Sequence, residues 1–321
     1  MKADTPYHAQ VTLLVRTLPH VAAEGCFAIK GGTGINLFIR DMPRLSVDID
    51  LAYLPIADRE SSLREISDAL IRIRERILQA LPGSQVHASQ LTGTPYASKL
   101  VVRRAGVQIK IEVTPVLRGT VFPSEARDVS ERVEAEFGYA RMQVVSFADL
   151  YAGKLMAALD RQHPRDLFDV RLLLANEGIS RDTFRAFLVY LISHDRLMAE
   201  VLDPTRRDIQ EEFERGFAGM TEEPVTLADL EATREALIAN LRAAFTQDDK
   251  SFLLSLKSGE PDWELLGISG VENLPAVRWK LLNLAKLNPS RRAALLRNLE
   301  AALRYCGPPS TAKTPDNTTA S

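Results

Sequence analysis

The feature that most constrains the fold is a change in hydrophobic periodicity near residue 145. Before this point, segments with alternating apolar residues, typical of strands, are mixed with segments at helical spacing; after it, the pattern is helical almost throughout. A chain of 321 residues is long enough for about two domains. We therefore predict an α+β protein with a mixed domain over 1–145 and a helical domain over 146–306.

Each predicted element follows from local spacing and turn residues. In the first domain we predict three helices, over 8–23, 33–40 and 63–81, and four strands, over 27–29, 46–54, 99–104 and 107–114. In the second domain we predict helices over 147–161, 164–176, 181–192, 227–245, 263–267 and 289–305. The segment 307–321 is rich in Pro, Thr and Ser and has no large apolar residue, which predicts a disordered tail.

Charge and composition exclude several classes of protein. The chain carries 40 basic and 42 acidic residues, so a nucleic-acid partner would need a local basic patch rather than an overall positive field. Its 2 cysteines lie near opposite ends of the chain, which argues against a disulfide framework or a structural zinc site. There is no signal-peptide pattern and no apolar stretch of about 20 residues, so we expect a cytoplasmic protein without membrane contact.

A glycine turn joins the first predicted strand to the following helix. Gly31 and Gly32 lack side chains, so the backbone N–H groups of the turn can approach a phosphate closely. Thr33 comes directly after them and opens the helix, whose N-terminus adds favourable partial positive charge. The turn is a candidate phosphate-binding site, although most Gly-Gly pairs are simple turns.

The next predicted strand carries two carboxylates. Asp48 and Asp50 are two residues apart, so both lie on the polar face of a strand, opposite its apolar residues. If the strand over 107–114 pairs beside this one, Glu112 supplies a third carboxylate on the same side. Hard divalent cations prefer oxygen ligands and keep part of their shell for substrate phosphates. The pattern therefore predicts a metal site for a nucleoside triphosphate, against the alternative that an Asp-x-Asp pair is surface decoration.

Two segments then resemble a known family. The runs KGGTGINLFIR and RLSVDIDL are similar to the opening motif of nucleotidyltransferases with the polymerase β fold, and most resemble the AbiEii/AbiGii branch, which includes the MenT toxins of type IV toxin–antitoxin systems. Arg44, Ser46, Asp48 and Asp50 match the strand motif of this branch. The resemblance covers about residues 25–175. It implies a mixed sheet, and a nucleotide site that includes Arg44 and Ser46 beside the glycine turn.

A second part of the resemblance lies on two predicted helices. It implies that Lys154 contacts the nucleotide phosphates and that Asp166 or Asp169 completes the catalytic site. These two aspartates are three residues apart and share a helix face, so the sequence leaves open which is essential. The alternative is a solvated lysine and a weak surface pair between Arg165 and Asp169.

The resemblance also implies an activity. A metal-dependent nucleotidyltransferase of the EC 2.7.7 type would use Mg²⁺ or Mn²⁺, held by Asp48, Asp50 and Glu112, to transfer nucleotides from an NTP to an RNA acceptor. The implied acceptor is the tRNA 3′ end, so that translation stops, and the implied partner is a cognate antitoxin. Two other hypotheses stay open: transfer to a small molecule or protein hydroxyl, and a non-catalytic binding module on the same fold.

One basic segment near the end of the chain is a candidate RNA-binding surface. Its basic residues are opposed by a single acidic one, which provides the local patch that the overall charge lacks. A solvated helix face is an equal alternative. The candidates are Arg278, Lys280, Arg291, Arg292 and Arg297.

Overall fold

A seven-stranded mixed sheet forms the first part of the molecule. In this computed structural model, which describes residues 6–307, the sheet order is β3-β4-β5-β2-β1-β7-β6. Strands β2 and β5 are parallel, as are β1 and β7, while the other neighbours are antiparallel. The strands are β1 (Phe27–Lys30), β2 (Asp48–Tyr53), β3 (Gln85–Gln90), β4 (Ala97–Arg104), β5 (Val107–Arg118), β6 (Glu125–Asp128) and β7 (Arg141–Val144).

Four helices belong to this part of the chain: α1 (Pro6–Ala22), α2 (Gly31–Phe38), α3 (Arg59–Ala80) and α4 (Glu131–Phe137). Helices α1 and α3 pack on the sheet and on each other. Their apolar faces form one core with the inward residues of β2 and β5, such as Ile49 and Ile111, because alternate residues of a strand point to the same side. The other face of these strands therefore presents Asp50 and Glu112.

The rest of the described chain is helical. Its elements are α5 (Phe147–Asp160), α6 (Pro164–Ala175), α7 (Arg181–Ser193), α8 (Met198–Leu202), α9 (Gln210–Gly216), α10 (Leu227–Ala244), α11 (Gln247–Ser258), α12 (Trp263–Leu266), α13 (Pro275–Ala285) and α14 (Pro289–Leu303), with a 3-10 turn over Val271–Asn273. Side chains cap several of these helices; Ser146, for example, accepts a hydrogen bond from the Asp149 N–H at the start of α5. The architecture confirms the predicted α+β class.

Several predicted boundaries and omissions need correction. Helix α2 begins at Gly31 rather than Thr33, because Gly31 takes a positive φ of 70° that lets the helix start directly from β1. The strands β3, β6 and β7 were not predicted: they show little alternation between buried and exposed residues, or are only four residues long. Helices α4, α8, α9, α11 and α13 were also not assigned.

Two further observations concern the predicted tail and membrane contact. From residue 308 onward, the segment predicted to be disordered lies outside the described residues. None of the helices over 6–307 combines the length and the hydrophobicity needed to cross a bilayer.

Two isoleucines on α3 provide a matched test of the packing. Ile73 is fully buried and Ile71 is 41% exposed. We expect Ile73→Ala to lower the free energy of unfolding by about 2–5 kcal/mol, because it leaves a cavity in the core. Ile71→Ala should change it by less than about 1 kcal/mol. Urea unfolding followed by circular dichroism measures both, and equal losses would contradict the packing of α3 on the sheet.

Candidate active site

The glycine turn lies in close contact with the carboxylate strand. A Cβ atom on Gly31 would lie 2.7 Å from Oδ2 of Asp50, and one on Gly32 would lie 2.7 Å from Nη2 of Arg44. Real Cβ atoms do not approach other atoms this closely, so larger residues at either position would displace these side chains. The two glycines therefore let the N-terminus of α2 lie directly against β2 and the segment that leads into it.

Thr33 and Ser46 connect helix α2 to the start of β2 and to the segment that leads into it. The two hydroxyl groups are 2.8 Å apart, and Thr33 also donates a hydrogen bond to the backbone carbonyl of Asp48. Thr33 is fully buried. These predicted nucleotide-binding residues thus fix the position of Asp48 relative to the glycine turn.

A row of charged side chains crosses four strands beside the turn, with two neighbouring carboxylates between two lysines. Asp50 on β2 is paired in register with Lys30 on β1 and with Glu112 on β5, and Glu112 is paired with Lys99 on β4. Strand β5 therefore does pair with β2, as the expected role of Glu112 required. Glu112 is 53% exposed and forms an ion pair with Lys99 at 3.3 Å.

Burial and nearby charges alter the acid–base properties of this row. Burial raises the pKa of Asp50; Lys30 and Lys154 oppose that effect, while the carboxylates of Asp48 and Glu112 add to it. Burial likewise lowers the pKa of Lys30, against the attraction of Asp50 and Glu112. The Lys30 Nζ donates a hydrogen bond to the Thr114 hydroxyl at 2.8 Å. Asp50 thus lies near two other carboxylates, and a bound cation would stabilise its charged form.

Lys30 and Arg161 were not among the sequence candidates. Lys30 directly precedes the two glycines. Its position next to a candidate phosphate-binding turn was the sequence feature that could have identified it. Arg161 ends helix α5, and its guanidinium is bound to Asp166 while its side chain remains 62% exposed. No local pattern identified Arg161.

The residues predicted on the two helices form a buried ionic cluster. Lys154 Nζ lies 2.8 Å from Oδ1 of Asp166 and 3.0 Å from Oδ2 of Asp169. Asp169 also accepts two hydrogen bonds from Arg44, from Nε at 2.7 Å and from Nη2 at 2.6 Å. We call these four residues, together with Arg161, the ionic cluster. It connects the segment before β2 to helices α5 and α6.

The pKa shifts of Asp166, Asp169 and Lys154 all favour the charged form of the side chain. Burial alone would raise the pKa of Asp166 and Asp169, but Lys154 together with Arg161 or Arg44 holds each below its ordinary value. Burial would lower the pKa of Lys154, but the two carboxylates raise it. Lys154 and Arg44 are therefore bound to carboxylates rather than free, and Asp166 and Asp169 both take part, each with a different arginine.

A cleft of about 360 Å³ opens beside the glycine turn. Its walls combine three positive groups, three carboxylates and the turn itself, and also include Tyr190 and Leu117. The lining residues that carry charge or turn backbone are Lys30, Gly31, Gly32, Asp50, Asp149, Lys154, Asp160 and Arg161.

Carboxylate oxygens beside the glycine turn are the candidate ligands for a divalent cation. Among residues 6–307, no group of three or more His, Cys, Asp or Glu side chains is gathered as a ready metal site. However, Mg²⁺ usually binds through one or two carboxylates and takes its other ligands from water and substrate phosphates. Asp48 and Asp50, next to a phosphate-sized turn, meet that requirement, while Glu112 would have to leave Lys99 to join them.

Two of the five basic candidates near the end of the chain donate hydrogen bonds within the protein, and the other three are exposed. Arg292 donates hydrogen bonds to the carbonyls of Ser258 and Leu284, and Lys280 donates one to the carbonyl of His194. The other three candidates, Arg278, Arg291 and Arg297, are exposed. Lys280 and Arg291 line a second groove, described below.

The chain is similar in sequence to one protein family and in fold to solved structures. A family model described as nucleotidyl transferase AbiEii toxin, type IV toxin–antitoxin system, matches residues 12–283. The solved structure of MenT4, a nucleotidyltransferase toxin from Mycobacterium tuberculosis H37Rv, is similar over 92% of this chain and 93% of its own, with 17% identity and a TM-score of 0.58. A crystal structure of JHP933 from Helicobacter pylori covers 73% of this chain and 90% of its own, with 18% identity and a TM-score of 0.42. No curated protein matches the sequence significantly.

The ionic cluster predicts a specific dependence of stability on pH. We expect Asp169→Asn to lower the free energy of unfolding by about 3–5 kcal/mol near neutral pH, because Arg44 stays buried without its carboxylate. The folded pKa of Asp169 is below the ordinary value of about 3.9, so this stabilisation is complete above that pH and is lost as the pH falls through the folded pKa. The difference from the unmodified protein should therefore shrink on acidification.

Chemical unfolding at a series of pH values measures this difference. Asp68→Asn is the matched control, since Asp68 is exposed on α3 and its loss should matter little at any pH. A loss for Asp169→Asn that is independent of pH would contradict the ionic cluster as described.

Proposed function

Because this chain belongs to the AbiEii family of nucleotidyltransferase toxins of type IV toxin–antitoxin systems, we propose that it transfers nucleotides from an NTP to the 3′ end of tRNA and so blocks translation. The family confirms the resemblance seen in the motifs and implies a cognate antitoxin. A tRNA acceptor would place the reaction in the cytoplasm.

The observation that carries the proposal is the contact between the glycine turn and Asp50 in a cleft that Lys30, Lys154 and Arg161 also line. The N–H groups at the start of α2 and the ammonium of Lys30 can meet the phosphates from one side. Arg161 can meet them from the other, since its side chain is half exposed although Asp166 orients it. Lys154 would contribute indirectly. It forms ion pairs with Asp166 and Asp169, and its positive charge favours the ionised form of Asp50.

Asp48 and Asp50 would hold Mg²⁺ or Mn²⁺, with Glu112 as a third carboxylate. The bound cation would neutralise phosphate charge and lower the pKa of the acceptor hydroxyl. The acceptor hydroxyl would release its proton to water, and its oxygen would form a bond to the α-phosphorus while the bond from that phosphorus to the bridging oxygen breaks and pyrophosphate leaves. Lys30 and Arg161, which both line the cleft, would stabilise the charge that develops on the pyrophosphate.

The acceptor class and the need for Asp50 are tested together. Purified protein is incubated with α-labelled NTPs, Mg²⁺ and either total tRNA or cell-extract protein. We expect label in tRNA, and we expect Asp50→Asn to reduce it by at least about a hundredfold, because a ligand of the charged transition state is lost. Asp68→Asn is the control for general effects of removing an acidic residue.

Each other outcome has a definite meaning. Label in protein or in a small molecule would reject the RNA acceptor and favour transfer to another hydroxyl. If expressed Asp50→Asn and Asp48→Ala proteins inhibit growth as strongly as the unmodified protein, a non-catalytic binding role replaces the proposed reaction.

The glycine turn provides a second test. Gly31→Ala places a methyl group against Asp50, so we expect it to reduce labelling by at least about tenfold, on the scale of a misplaced catalytic group. Gly83→Ala is the matched control: Gly83 has a similarly positive φ of 82°, but nothing lies within 4 Å of an added Cβ. Equal activity of the two variants would show that the close approach to Asp50 is unimportant.

A further inference from the structure

A second, larger groove adjoins the proposed active site. It has a volume of about 680 Å³ and lies between the end of β5, the end of α7, and helices α13 and α14. Leu117 and Tyr190 line both this groove and the active-site cleft. The two spaces are therefore neighbours that share a wall, and a ligand in the groove would have one end close to the cleft.

The groove contains a buried lysine without a partner. Lys257, on α11, is only 4% exposed, yet within residues 6–307 no acceptor forms a hydrogen bond or ion pair with its ammonium. Lys280, on α13, lines the same wall and donates to the backbone carbonyl of His194. Burial and the charge of Lys280 lower the pKa of Lys257. The Lys257 side chain lines the groove beside the second ammonium, so a bound anion would stabilise both charges.

One carboxylate of the groove lies near the two lysines. Asp195 lines the groove and is close enough to favour the charged form of Lys280, but its carboxylate is almost fully exposed and lies 3.3 Å from the His194 imidazole. Arg291 adds a further positive group to the lining. Two lysines and an arginine thus face one exposed carboxylate, which leaves room for an anionic ligand.

An exposed tryptophan stands beside the lysines. Trp279 precedes Lys280 on α13, lines the groove and is 60% exposed. The neighbouring wall is apolar and includes Leu284, Leu287 and Leu295. A flat aromatic ring next to positive charge is the combination on which single-stranded nucleic acids bind, with a base stacked on the ring and a phosphate on the cations.

We propose that this groove binds the single-stranded 3′-terminal nucleotides of the RNA acceptor, with a backbone phosphate on Lys257 and Lys280 and a base stacked on Trp279. The proposal rests on the proposed function, since it assumes an RNA acceptor. The shared wall at Leu117 and Tyr190 carries it further, because the terminal hydroxyl must pass from the groove into the cleft.

Binding is measured without catalysis, by tryptophan fluorescence. The chain has 2 tryptophans, so a Trp263→Phe background leaves Trp279 as the only one. The probe is a short single-stranded oligoribonucleotide with a free 3′ hydroxyl, without NTP. We expect it to quench Trp279, and we expect Lys257→Gln to raise its Kd about tenfold, the scale of one lost charged or stacking contact. Lys286→Gln removes an exposed lysine that does not line the groove and should leave the Kd unchanged.

Kinetics separate this proposal from the proposed function. For Lys257→Gln and Trp279→Ala we expect a KM for RNA about tenfold higher and an unchanged KM for NTP. If the unmodified protein labels RNA but both variants keep its KM, the groove proposal fails and the proposed function stands. If the unmodified protein labels no RNA, the proposed function fails, and absence of quenching then overturns the groove proposal independently.

Two further measurements guard against a structural explanation. Lys257→Met should raise the thermal midpoint of unfolding, because it removes a buried charge without a partner; a lower midpoint would show that Lys257 stabilises the fold and would overturn the proposal. If the variants bind RNA normally but escape neutralisation by the co-expressed antitoxin, the groove is a protein docking surface, and the proposal is wrong.

Discussion

The structure depends most on the ion pair between Arg44 and Asp169. Arg44 belongs to the segment that enters β2, and Asp169 lies on α6, 125 positions later in the chain. Their two hydrogen bonds are buried, so removal of either side chain would leave the other charge buried and without a partner. The pair also connects the helical region to the sheet. Lys154 joins the same carboxylate from α5. The position of Asp50 relative to α5 therefore follows from electrostatics as much as from apolar packing.

The close fit at the glycine turn is a consequence of this arrangement. Arg44 is fixed by Asp169, so its guanidinium forms a rigid wall that only a residue without a side chain can approach, and Gly32 occupies that position. Gly31 does the same next to Asp50. The two glycines are thus required by side chains that the ionic cluster and the sheet register hold in place. Phosphate binding at the start of α2 would use backbone that is already positioned.

The sequence predicted those parts of the site that follow from local spacing. The phase of Asp48 and Asp50, and the in-register position of Glu112, required only the two-residue period of a strand and one assumed pairing. The partners of Lys154 could not be predicted in this way. The helical spacing showed Asp166 and Asp169 on one face, but their contact with Arg44 depends on how α6 packs against the segment before β2. Strand β7 was missed because four residues carry too little pattern, although its pairing with β1 extends the sheet.

Two equally buried lysines differ in whether the described chain supplies a counter-ion. Lys154 and Lys257 are almost equally buried, at 5% and 4% exposure. Burial acts on both in the same direction, yet two carboxylates raise the pKa of Lys154, whereas a neighbouring lysine lowers that of Lys257 further. The first charge is compensated within the chain and stabilises the fold. The second has no counter-ion in the described chain and lies at the edge of a groove that adjoins the active site, where the proposed RNA phosphate would compensate it.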